Sequence, residues 1–282
     1  MAVYDENGFL GGLIEQWVES HQESFVEIFA LAKELNRECH RFLDGRSVDP
    51  GSELQITTAV LFARMLELYQ AIVLVVDRGM AAPARILFRA FLEAFFHFST
   101  IYRDCEYLDV YLKQFHVQRK ALVYRIRNSK LPLLEGLRQL VDESLLSEIK
   151  ETIKQEGARK VSIEEVAKKA NLYEIYVTAY AVLSRAVHSS PSDLESHLRY
   201  NAEKEVIEGF RYGPCAEETA RAICLAGMCM IEALEQISNM FEEDRRESCS
   251  KLKESFQRVL HARTGEGAAS KGPAPARKRD NS

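Results

Sequence analysis

Apolar residues recur at three- and four-residue intervals along nearly the whole chain, and strict alternation of apolar and polar positions is rare. That periodicity predicts α-helices and no substantial sheet. Breakers separate the periodic segments. The stretch from Asp44-Gly45 to Pro50-Gly51 divides a first helix (about 9–43) from a second (about 52–77). Gly79 and Pro83 open a third (about 84–103), and a turn near Asp104 leads to a fourth ending near 127. Pro132 precedes a fifth (about 133–155), and Ser162-Ile-Glu-Glu reads as a capping box opening a short sixth. Another helix spans about 172–188, stopped by Ser189-Ser190-Pro191-Ser192. Gly213-Pro214 opens a long final helix to about 260, with Pro at its first turn. The reading is an all-α, single multi-helix bundle of about seven to nine helices over residues 1–264. Residues 265–282, rich in Gly, Ala, Pro and basic residues, are expected to be a disordered tail.

Segments 54–76, 85–101, 173–187 and 216–241 are the most apolar and should form the core. At 282 residues the chain is one large domain or two small ones. A hydrophobic share of 46%, a charged share of 28% and a mean hydropathy of -0.22 fit a soluble globular protein. A net charge of -5 argues against a general nucleic-acid-binding surface. The six cysteines form no C-x-x-C pair, and Cys224 and Cys229 sit in an apolar stretch. They read as small buried hydrophobes in a reduced cytoplasm. The N-terminus shows no signal peptide, and the apolar windows 71–76 and 86–98 are too short or too charged to span a bilayer. No membrane insertion is therefore expected. The absence of G-x-G-x-x-G, P-loop and nucleophile-elbow patterns disfavours the classes that depend on those loops.

The third helix carries Arg85, Arg89, Glu93 and His97 at four-residue spacing among Phe88, Phe91, Phe95, Phe96 and Phe98. Residues four apart share a helix face, so these four form a polar stripe. The helix over 172–188 carries a second stripe of Tyr176, Tyr180, Ser184 and His188. Facing one another, the two would enclose a polar pocket inside an apolar bundle. The competing reading is an ion-pair ladder in which His188 merely ends its helix, where the dipole favours a cation.

Three chemistries fit a pocket of this kind. In metal-independent phosphodiester cleavage, His188 would be the general acid/base and Arg89 would stabilise phosphate charge. Glu93 would orient one of them, beside Ser184. Alternatively, Arg85 and Arg89 would bind an anionic small ligand between tyrosine walls, with Tyr180 and His97 lining the site. A metal site from Glu93, His97 and His188 is disfavoured, because Glu-x-x-x-His departs from the Glu-x-x-His spacing of di-iron bundles. No cofactor is expected. The partners expected are RNA or an anionic small ligand. Met228, Met230, Ile231, Leu234, Ile237 and Met240 on the final helix offer a homodimer face or a core face. His116, Arg119, Lys120, Arg125, Arg127 and Lys130 read as a solvated basic face of the fourth helix, with phosphate contact as the alternative. The charge run 242–247 reads as exposed helix surface.

The ordered set Arg85-x3-Arg89-x3-Glu93 and Tyr180-x3-Ser184-x3-His188 resembles a bacterial all-helical family known only as a domain of unknown function. The resemblance spans roughly 54–240 and implies a helical fold. A more distant likeness is to the helical nucleotide-binding superfamily of prokaryotic toxins and defence ribonucleases. Its hallmark is Arg followed four to six residues later by His, from which Arg185 and His188 depart. The functional expectation is a ribonuclease-like or other nucleic-acid-related stress or defence activity. A non-enzymatic interaction or anionic-ligand module is the alternative.

Overall fold

The computed structural model describes residues 6–201, 203 and 206–269. Helices dominate, in the order α1 (Ile14–Ser24), α2 (Val26–Leu43), α3 (Glu53–Asp77), α4 (Ala81–Arg103), α5 (Tyr107–Asn128), α6 (Glu135–Leu140), α7 (Glu143–Glu156), α8 (Ile163–Lys169) and α9 (Tyr173–Ile175). A π-helical turn over Tyr176–Tyr180 joins α9 to α10 (Ala181–Val187). The short α11 (Pro191–Leu194) follows, then an antiparallel pair of strands, β1 (Leu198–Tyr200) and β2 (Ile207–Phe210). Helices α12 (Thr219–Met240) and α13 (Arg246–Ala269) complete the described chain.

The core is built on the α3–α4 hairpin, covered by α12 and α2, with α13 returning along α12. Ser52 Oγ accepts from Gln55 N and caps the start of α3. Gly79, at φ +72°, closes the α3–α4 turn in the left-handed conformation. Phe91, Leu92, Phe95, Phe96 and Phe98 of α4 are essentially inaccessible. Between α4 and α12, Ser99 Oγ donates to Gln236 Oε1 at 3.0 Å and satisfies two buried polar groups. Helix α5 departs from the bundle. It packs chiefly on α7 around Val123, Leu146 and Ile149, and meets α4 only sparingly.

The all-α class stands, with more helical segments than the seven to nine expected. The first expected helix breaks at Phe25 (φ -122°, ψ 27°) into α1 and α2, and 133–155 breaks into α6 and α7. The final helix begins at Thr219 and breaks after Met240, where Glu242 takes φ 57°. Residues 242–245 are therefore a reversal rather than a helix face, while Arg246 and Glu247 open α13 on its exposed surface, as expected. Glu243 pairs with Arg46 and Arg245, and Arg245 reaches Glu38 at 3.0 Å. This lets α13 fold back and bury Phe256 and Leu252 on the core. Helix α13 continues to Ala269, past the boundary expected at 265. Each added residue closes one more backbone bond. The rest of the expected tail, 270–282, lies outside the described residues.

Met230, Ile231, Leu234 and Ile237 are fully buried within the monomer core. Helix α3 is long and apolar enough to cross a membrane by length and composition, contrary to the reading from uninterrupted apolar runs. Leu61, Phe62, Met65, Tyr69 and Ile72 of that helix are buried in the core. Cys39, Cys224 and Cys249 are buried, Cys105 is exposed, and all six cysteines are free.

Candidate functional site

The two polar stripes meet in part. Arg89 of α4 donates from Nη2 to Tyr180 Oη at 2.8 Å and from Nε to Ser184 Oγ at 3.4 Å. It also pairs with Glu93, one helical turn on, at 3.1 Å. Tyr180 Oη in turn donates to Glu93 Oε1 at 2.7 Å. The Arg89 guanidinium carbon lies 4.9 Å from the Tyr180 ring centroid. Burial, followed by the bond to Glu93, raises the Tyr180 hydroxyl well above the usual tyrosine range, so it stays protonated. The four residues form a closed set in which each charge and hydroxyl has a partner.

The π-turn contributes to this geometry. Residues four apart in the widened turn stand nearly above one another, and the Tyr176 and Tyr180 rings stack at 5.2 Å. Regular four-residue spacing in the sequence gives no sign of such a turn.

The other three expected residues go elsewhere. Arg85 pairs with Glu218, just before α12, at 3.0 Å and with Asp193 of α11 at 3.2 Å. His188 caps the C-terminus of α10, exposed, with no side-chain partner among the described residues. No hydrogen bond or ion pair joins it to Arg89 or Glu93, whose partners are each other, Tyr180 and Ser184. His97 lies on the far side of Glu93. Its Nδ1 is 2.9 Å from Tyr107 Oη, and its ring packs 5.0 Å from Tyr111. Burial depresses the imidazole to about 4, partly opposed by Glu93, so it is neutral at physiological pH. Among the described residues no three His, Cys, Asp or Glu side chains are grouped to hold a metal.

Glu93 and His97 also floor a cavity of about 600 Å³ left where α5 leans away from α4. Its walls include Tyr111, Gln114 and Gln118 of α5, Arg64 of α3 and Lys160 before α8, and Arg125 stands at its edge. Arg64, Arg125 and Lys160 have no carboxylate partner among the described residues. By contrast, Arg127 of the same basic stretch pairs with Glu143, and His116 lies 3.2 Å from Glu156.

The segment carrying this constellation also matches a known family. Residues 55–206, just over half of the chain, match a family of unknown function, DUF5677. The chain belongs to that family. No curated protein and no solved structure matches it. The DUF5677 segment contains the whole Arg89–Glu93–Tyr180–Ser184 cluster and every wall of the 600 Å³ cavity. It ends before α12.

Sequence reasoning picked out the cluster and two residues of the cavity floor. It missed Arg64, Gln114 and Lys160, which come from three separate elements and carry no shared spacing. Arg125 was visible only as part of the basic stretch. The one available signal was a Tyr111 and Gln114 face on a helix too polar to be core throughout.

Proposed function

We propose that this chain is a non-catalytic binding module for a small organic anion, taken up in the cavity between α4, α5 and the segment before α8. The observation that carries the reading is the charge balance of that cavity. Glu93, its acidic wall, is already matched by Arg89 and Tyr180. Its cations Arg64, Arg125 and Lys160 have no acidic partner among the described residues. The field offered to a ligand by groups free to respond is therefore positive. Neutral His97, Tyr111 and Gln114 supply a rigid, partly apolar floor with hydrogen-bonding edges, the usual make-up of a small-molecule site. The volume of about 600 Å³ suits a ligand of nucleotide size.

The test is calorimetric titration and thermal shift with pyrophosphate and adenosine monophosphate, for wild type and Arg64→Glu/Lys160→Glu. Both substitutions are at exposed positions. The reading expects saturable binding to wild type that the double variant loses at unchanged fold. It fails if neither probe binds, or if the double variant binds as well.

An RNA-directed activity is the second reading. It is supported by the exposed imidazole of His188, four residues beyond Ser184 and close to Arg185 on the surface. RNA cleavage by wild type that His188→Ala abolishes would put this reading first.

A further inference from the structure

A second cavity lies on the opposite flank of α4, in a groove walled by α4, α9–α10 and α12, with a volume of about 710 Å³. Its walls are apolar: Phe88 and Phe95 from α4, Ile175 and Leu183 from the α9–α10 segment, Leu225 and Met228 from α12. The contacts Arg85–Glu218 and Ser99–Gln236 show that α4 and α12 run in the same direction. The groove follows that shared axis. From Arg221 to Glu232 on α12 it extends about 16 Å at the rise of an α-helix.

The polar groups at its two ends differ. At one end Arg85, Arg221 and Glu218 line the groove. Arg221 is exposed and has no partner among the described residues. Arg85 is held by Glu218 and Asp193 through its two terminal nitrogens, while its Nε is buried without an acceptor. A buried donor with no acceptor is costly and is relieved by an incoming oxygen. At the other end, Glu232 accepts from Gln236 and faces Lys253 at 3.6 Å, so it has little charge left to offer.

We infer that this groove binds a single-chain amphiphile, with the alkyl chain along the Phe88–Leu225–Met228 wall and an anionic head at Arg85 and Arg221. An elongated apolar slot whose one end offers the unpaired Arg221 and the acceptor-less Arg85 Nε fits that shape. A compact polar ligand would leave the apolar wall uncovered, and a cationic head would have no use for the unpaired Arg221 or the acceptor-less Arg85 Nε. The site is separate from the cavity beneath α5, and its α12 wall lies outside the family segment. It stands or falls independently of the anion reading above.

The test is titration of the full chain with dodecanoate, hexanoate, dodecanol and dodecyltrimethylammonium below their micelle concentrations. Wild type should bind dodecanoate at least about tenfold more tightly than hexanoate, since each buried methylene adds to affinity. Dodecanoate should also outbind dodecyltrimethylammonium. Arg221→Glu, at an exposed position, should weaken dodecanoate about fivefold or more while leaving dodecanol unchanged. Equal binding of dodecanoate and hexanoate would overturn the apolar slot. Equal binding of dodecanoate by Arg221→Glu, or a preference for the cationic amphiphile, would overturn the anionic head.

Discussion

Tyr180 and Glu93 are joined by a hydroxyl-to-carboxylate hydrogen bond of 2.7 Å between the π-turn and α4, and the same hydroxyl accepts from Arg89 at 2.8 Å. One oxygen thus completes two charged groups that come from a single helix. Tyr180 is 7% exposed, so water has little opportunity to replace it.

Tyr180→Phe keeps the ring and removes both bonds. The expected loss is about 1–3 kcal/mol of unfolding free energy, the range for bonds to charged partners. Equilibrium denaturation measures it. An unchanged midpoint would show that Arg89 and Glu93 satisfy each other without the tyrosine.

His188→Ala is expected to leave stability within about 0.5 kcal/mol of wild type, because the side chain is exposed and has no partner among the described residues. A larger loss would mean that His188 makes a contact this arrangement does not contain. The same variant serves the RNA assay, where loss of cleavage at unchanged fold would assign it a chemical role.

Stability should fall as pH drops below neutrality, and His97 should account for part of the slope. Burial holds its folded pKa at about 4, against 6.5 in the unfolded chain. Between those values the unfolded state binds the extra proton, so stability rises with pH. The stabilisation is complete above about 6.5 and is lost progressively toward about 4. A difference of that size between the folded and unfolded imidazole corresponds to a loss of about 3 kcal/mol once both states are protonated. Glu93, Tyr107 and Tyr111 are the titratable groups facing the ring, and the tyrosines stay protonated throughout this window. His97→Gln should flatten the profile between pH 7 and 5 in urea titrations. The slope that persists should come from His21, whose imidazole burial also pushes down.

Gly79→Ala should be among the most damaging single substitutions. The backbone there has φ +72°, and an added Cβ would stand 2.8 Å from Cys215 N and 2.5 Å from Trp17 Cη2. Strain and overlap act together, so a loss of at least about 2 kcal/mol is expected in thermal or chemical unfolding. A variant that melts like wild type would show that the α3–α4 turn can relax away from the Pro214–Cys215 segment.

Local pattern made the helical class legible, and it placed the α3, α4 and α12 core segments. The Ser162 cap was also readable, since Ser162 Oγ accepts from Glu165 N at 3.1 Å as the spacing implies. The breaks at Phe25 and Glu242 were not readable. Neither carries Gly or Pro; Phe25 is a one-residue break, and the turn at Glu242 lets α13 bury Leu252 and Phe256 on the core.

The sequence by itself determined which residues are polar on apolar helices, because periodicity is a property of one helix at a time. It marked two stripes, Arg85, Arg89, Glu93 and His97 against Tyr176, Tyr180, Ser184 and His188, and of these Arg89, Glu93, Tyr180 and Ser184 converge. Only the tertiary structure decided that Arg85 turns to Glu218 and Asp193, that His97 floors a different cavity and that His188 stands in solvent. The physical reason is that a stripe spanning three helical turns outlasts any one neighbour. Each turn of α4 meets a different element, and which element it meets is fixed by packing between helices far apart in the chain.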